Sequence, residues 1–117
     1  MTIHRLFTNN NQLIMDTYKQ ILDFVLSELY NKDIQNSIKG CLFSLDDILT
    51  NKFSLTDGQK ELISSILTKD GYVISSYRGN HIKLTITSYG KRFCETSSFS
   101  QPNIPIIKQI WSTSEYQ

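Results

Sequence analysis

The chain has 117 residues, 39% of them apolar, with 12 Lys and Arg against 11 Asp and Glu. That is the length of one domain with enough apolar side chains for its own core, and the composition excludes a disordered chain. A net charge of +1 gives no broad electrostatic case for nucleic acid or a membrane, so any such case must rest on where the charges lie.

Cys41 and Cys94 lie far apart and form no CxxC pair. They read as reduced thiols of a cytoplasmic protein rather than as a disulfide framework. Residues 1–11 read as an N-terminal arm. Met1 to Phe7 lacks the apolar stretch of a signal peptide, and no apolar run approaches the roughly 20 residues of a membrane span.

Over 12–30, "QLIMDTYKQILDFVLSELY", the spacing predicts a helix. Ile14, Tyr18, Ile21, Leu22, Val25 and Leu29 share one face, broadened by Met15 and Leu26. Asp16, Lys19, Gln20, Asp23 and Ser27 fall opposite, and Asn10 or Asn11 can cap the start. Leu13 and Phe24 stand off the main face on a common side. Two readings of that side stay open: packing against a terminal segment of the same chain, or a subunit contact.

"GCLF" at 40–43 allows only a stub of strand. "SLDDILTNKF" begins with a capping-box-like Ser44 and Asp47, and Leu45, Ile48 and Leu49 give a short helix ending near Asn51. In "SLTDGQKELISSILTKDGY", Thr56 and Gln59 have the capping-box spacing and Gly71 sits at a helix C-terminus, which predicts a helix from Asp57 to Lys69. Its expected inward stripe is Leu62, Ile63, Ile66 and Leu67. Its expected outward face is Asp57, Glu61, Ser64, Ser65 and Thr68, with Lys60 and Lys69 on the edges.

Residues 72–87, "YVISSYRGNHIKLTIT", read as a hairpin about Gly79-Asn80. The expected register sets Arg78 against His81, Tyr77 against Ile82, Ser75 against Leu84 and Val73 against Ile86. One face is then apolar, with Val73, Tyr77, Ile82, Leu84 and Ile86. The other carries Ser76, Arg78, His81, Lys83, Thr85 and Thr87. A slip of one residue would destroy that separation. From Lys69 to Arg92 the bases are Lys69, Arg78, Lys83, Lys91 and Arg92, against the single acid Asp70. A short helix, "SYGKRFCETS", is expected next, then a linker, "SSFSQPN". The tail "IPIIKQIWSTSEYQ" places Ile106, Ile107, Ile110 and Trp111 at helical spacing, so it is expected to dock on the first helix or on a second subunit.

Catalysis has little support. The sequence holds no GxxxxGK[ST], HExxH or CxxC motif. Asp46 and Asp47 are neighbours that point to different sides of a helix, so they make no acid/base pair. Nothing brings the two Cys and two His to zinc-ligand spacing. No enzyme activity, metal, cofactor or small-molecule ligand is expected. His4 and His81 have no partner pattern, and His81 reads as a surface residue.

The order of these elements resembles a winged helix-turn-helix. The likeness is carried by "SLDDILTNKFSLTDGQKELISSILTKDGYV" and by "LTITSYGKRF". The latter is similar to the Leu-Thr-x-x-Gly-x-x-Phe/Leu wing ending of PadR-type and MarR-type regulators. It extends to small bacterial winged-helix proteins of the YjcQ type, and it covers about residues 12–96. The resemblance implies an α+β, mostly α fold: a single winged helix-turn-helix domain of three helices and a β-hairpin wing, with residues 97–117 as linker and docking tail. In such regulators the third helix enters the major groove and the wing touches backbone or minor groove. Carried over, Lys60, Ser64, Ser65, Thr68 and Lys69 of the third helix, and Arg78, Asn80, His81 and Lys83 of the wing, would contact double-stranded DNA. A homodimer would form through Leu13, Phe24, Ile107, Ile110 and Trp111. The implied function is a small DNA-binding transcriptional regulator. The alternatives are a winged-helix protein-interaction module that never meets DNA, and a subunit of a larger machine assembled through the tail around Trp111.

Overall fold

The computed structural model describes residues 11–49 and 52–109, with 11–16 described as helical backbone alone. The fold is α+β. Helix α1 spans Asn11–Gln35, strand β1 Phe43–Ser44, helix α2 Leu45–Leu49 and helix α3 Asp57–Lys69. The hairpin strands are β2, Val73–Arg78, and β3, His81–Ile86. Helix α4 spans Ser88–Thr96, and a 3-10 turn spans Ile106–Lys108. The sheet is antiparallel in the order β1-β3-β2. Among the described residues no helix is long and apolar enough to cross a membrane.

Local chemistry sets the element ends. At the start of α3, Gln59 N–H donates to Thr56 Oγ1 at 3.2 Å and Thr56 N–H donates to Gln59 Oε1 at 2.8 Å, closing the expected capping box. At its end Gly71 takes φ +81, and Gly71 and Tyr72 N–H donate back to Thr68 and Leu67 carbonyls, a Schellman closure that turns the chain into β2. Thr87 joins the hairpin to α4: its hydroxyl donates to Gly71 and Tyr72 carbonyls and accepts from Gly90 N–H. A Cβ at Gly90 would lie 2.2 Å from the Tyr72 carbonyl oxygen. Only glycine fits there, which is the physical content of the Thr-x-x-Gly spacing.

The hairpin register is the expected one, from Val73↔Ile86 through Ser75↔Leu84 and Tyr77↔Ile82 to Arg78↔His81. Val73, Ile82, Leu84 and Ile86 are buried. Two residues depart from the expected faces. Tyr77 is 52% exposed at the tip, and Thr85 on the opposite face is buried.

Helix α1 is the axis of the fold. Seven consecutive residues, Ile21–Ser27, are buried. No amphipathic stripe produces that, because a stripe hides only part of each turn. The helix is wrapped instead, touching β3, α2, α4 and the 3-10 turn. The apolar face behaves as expected. The polar face does not stay in water, since Asp23 and Ser27 are covered. Asp23 is fully buried and its carboxylate accepts from Phe99 N–H at 2.7 Å, Ser100 N–H at 3.0 Å and the Ser100 hydroxyl. Burial pushes this carboxyl above its usual range, against the lowering effect of those bonds.

Residues 97–106, expected to begin as a linker, therefore form a strap clasped to α1. Ser98 and Ile106 are buried, and Phe99 packs against Phe93 and Tyr72 with ring centroids 5.0 and 5.7 Å apart. Docking of Ile106 near α1 matches one expectation for the tail. The contact expected through Phe24 is corrected. Phe24 is 3% exposed and packs edge-on against Phe53 of its own chain, centroids 5.3 Å apart, because the segment before α3 closes over that side of the helix. It is core, not subunit interface.

Cys41 and Cys94 are free thiols. Burial pushes the Cys94 thiol to about 12, so it stays protonated at neutral pH.

Candidate nucleic-acid interface

The hairpin is built so that one face must be core. Strand alternation sends Val73, Ile82, Leu84 and Ile86 inward and leaves Arg78, His81 and Lys83 on the outer face. All three are exposed, as is Asn80 in the turn. The ion pairs among the described residues join Lys39 and Lys91 to Asp33 and Lys60 to Asp46. None of the hairpin bases takes part. Among the described residues, the outer face of the hairpin thus presents Arg78, His81 and Lys83 outside any ion pair.

Helix α3 differs from its expected orientation, and the residues assigned to DNA divide accordingly. Ser65, Thr68 and Lys69 are exposed. Ser64, expected outward, is fully buried and shares a 2.8 Å hydrogen bond with the Tyr77 hydroxyl. Leu62, expected inward, is 46% exposed. The rotation has a polar cause. Thr68 Oγ1 donates to Ser75 Oγ at 3.2 Å, so the Ser64–Tyr77 and Thr68–Ser75 pairs form a hydroxyl seam between α3 and β2. Turning the helix to satisfy that seam carries Leu62 outward. Two hydroxyls expected to read base edges are thereby engaged within the chain.

Lys60 is likewise occupied. Its ammonium lies 2.8 Å from the Asp46 carboxylate of α2, which holds its proton above the usual lysine range. Lys91, close behind the hairpin in sequence, lies 2.6 Å from Asp33 near the end of α1. Neither pairing has a signal in the sequence, because each joins residues far apart in the chain. Beneath the hairpin tip, an open cleft is lined by Asp46, Asp57, Lys60, Glu61, Tyr77 and Asn80, among others. Its carboxylates repel phosphate.

The structure therefore gathers Arg78, Asn80, His81 and Lys83 at one exposed tip, and sets Ser65, Thr68 and Lys69 apart on α3. It removes Ser64 from the surface and ties Lys60 to an acid. Of the residues assigned to a subunit contact, Ile107 is exposed and Phe24 is buried. The Leu13 side chain, Ile110 and Trp111 lie outside the described residues. Among the described residues no group of His, Cys, Asp or Glu is placed to hold a metal ion. Comparison with protein-family models, curated proteins and solved structures gave no match.

Proposed function

We propose that this chain is a winged-helix DNA-binding protein, a small transcriptional regulator of the cytoplasm that grips the DNA backbone through its wing. The element order and the β1-β3-β2 sheet support the winged-helix reading. The observation that carries the DNA reading is the contrast among the bases. Lys60 and Lys91 are held by carboxylates, while Arg78 and Lys83 stand exposed and form no ion pair among the described residues. Free cations on a projecting hairpin suit phosphates, which supply most of the sequence-independent affinity for DNA. Helix α3 contributes less, through Ser65 and Lys69. A homodimer would place two wings on one duplex, with Ile107 available on the described surface for the contact between copies.

A protein-interaction module is the second reading, favoured by Asp57 and Glu61 in the cleft and by the exposed side chains of Leu62 and Ile74. Fluorescence anisotropy of a labelled random-sequence duplex separates the two. A dimer making about 6–8 phosphate contacts loses on the order of 10³-fold in affinity between about 50 and 200 mM salt. Absence of binding even at low salt would replace the DNA reading with the second one.

A further inference from the structure

The base of the hairpin carries an aromatic stack that the contacts at its tip leave unused. Thr87 and Gly90 bring the start of α4 against Tyr72. The Thr87 hydroxyl donates to the Gly71 and Tyr72 carbonyls, and Gly90 has no Cβ to hold the Tyr72 carbonyl off. That close approach stacks three rings. Phe93 and Tyr72 have centroids 4.4 Å apart at 24°, and Tyr72 and Tyr89 have centroids 5.2 Å apart at 15°. The row ends at Tyr89, which is 60% exposed. Its ring is thus braced on one face by Tyr72 and open to solvent beyond. Arg92, three residues on along α4 and so on a neighbouring part of its surface, is exposed. Gly71 borders the Tyr89 ring, and exposed Lys69 lies two residues before it. Asp70, also exposed, offsets part of that positive charge.

We propose that Tyr89 is a stacking platform for an unpaired nucleobase, with Arg92 and Lys69 on phosphates of the same strand. The inference rests on the DNA-binding reading above and names the substrate more closely: a duplex with a single-stranded stretch beside it. A paired base has neighbours on both faces and offers none to the ring. An unpaired base has a free face, and stacking on it tolerates any sequence because every base has one. The six-residue strands of the hairpin span about 20 Å. With the tip on the duplex backbone, Tyr89 at the hairpin's base therefore lies about six base steps away, at ~3.4 Å each. One hairpin thus reaches both sides of a junction between paired and unpaired DNA.

The test is anisotropy of three labelled duplexes of one sequence against the full chain. One is blunt, one carries a single-stranded thymidine overhang, and one carries an overhang of the same length built of abasic residues. Wild-type protein should bind the thymidine overhang roughly tenfold more tightly than the blunt duplex, the value of one stacked base. The abasic overhang should lack that gain. Tyr89→Leu keeps an apolar cover on Tyr72 but has no aromatic face, and should bring the thymidine overhang down to the wild type's blunt-duplex value. Tyr89→Phe should keep the preference. Arg92→Gln should reduce the salt slope on the overhang by about 0.7, the value of one single-strand phosphate. Circular dichroism of each variant excludes a folding cause. An overhang that gains nothing, a gain kept by the abasic overhang, or a gain that survives Tyr89→Leu overturns this inference and leaves the DNA reading standing. No binding to any of the three overturns both.

Discussion

The first part of the strap, 97–103, and the hairpin tip at 76–83 are both polar stretches without a helical or strand-core pattern that would bury them whole. Their fates are opposite. The strap is drawn against α1 because one carboxylate, Asp23, satisfies two backbone N–H groups and a hydroxyl together, while Phe99 and Ile106 supply apolar contact on either side. The hairpin tip stays exposed, and among the described residues its cations form no ion pair. Polarity alone does not place a segment. What decides is whether its donors and charges find partners inside the chain.

Removing the strap's partner should have the largest effect. Asp23→Ala leaves Phe99 and Ser100 N–H and the Ser100 hydroxyl without their acceptor, and should lower stability by about 2–4 kcal/mol in urea unfolding, since an unsatisfied buried donor costs about 1–3 kcal/mol and the strap can partly rehydrate. A loss under about 0.5 kcal/mol, the size of an ordinary surface change, would mean that the clasp does not hold the strap.

The acid limb of stability gives the next contrast. The Asp33 carboxyl is lowered from 3.8, first by its hydrogen bond from Lys91. A carboxyl lowered on folding stabilises the protein above its unfolded value, and that contribution disappears as pH falls through the folded value. Asp23, raised on folding, has the reverse sign: its contribution is lost as pH rises through its folded value. Stability of the wild type should therefore fall more steeply than that of Asp33→Asn as pH drops below about 4. Parallel profiles in thermal melts would show that the Asp33–Lys91 pair contributes no proton linkage.

At the wing the expected effects on stability are smallest. Arg78→Ala and Lys83→Ala should each leave unfolding within about 0.5 kcal/mol of wild type. Each should weaken DNA binding to a similar degree on every sequence and reduce the salt slope by about 1. A change in sequence preference would move these residues from phosphate contact to base reading.

Much of the frame was legible from local chemistry. Thr56 and Gln59 announce α3, Gly71 ends it, and the alternation about Gly79-Asn80 fixes the hairpin register, because each signal acts over a few residues. Four features were hidden: Asp23 under the strap, Phe24 against Phe53, Ser64 against Tyr77, and Lys60 on Asp46. Each depends on a partner elsewhere in the chain. Helical periodicity assigned Asp23 and Ser64 to water because it counts polarity, and a polar side chain whose bonds are satisfied can be buried all the same. The hairpin bases were legible because the opposite happened to them: among the described residues none of them enters an ion pair.

The most direct test of the central claim, that the wing and not the first half of α3 meets DNA, is amide chemical-shift mapping during titration with a short random-sequence duplex. The largest perturbations should fall on Arg78 to Lys83, with smaller ones at Ser65 to Lys69 and none at Asp57 to Glu61. Perturbations centred on Asp57 to Glu61 with a quiet wing, or no perturbation at all, would contradict it.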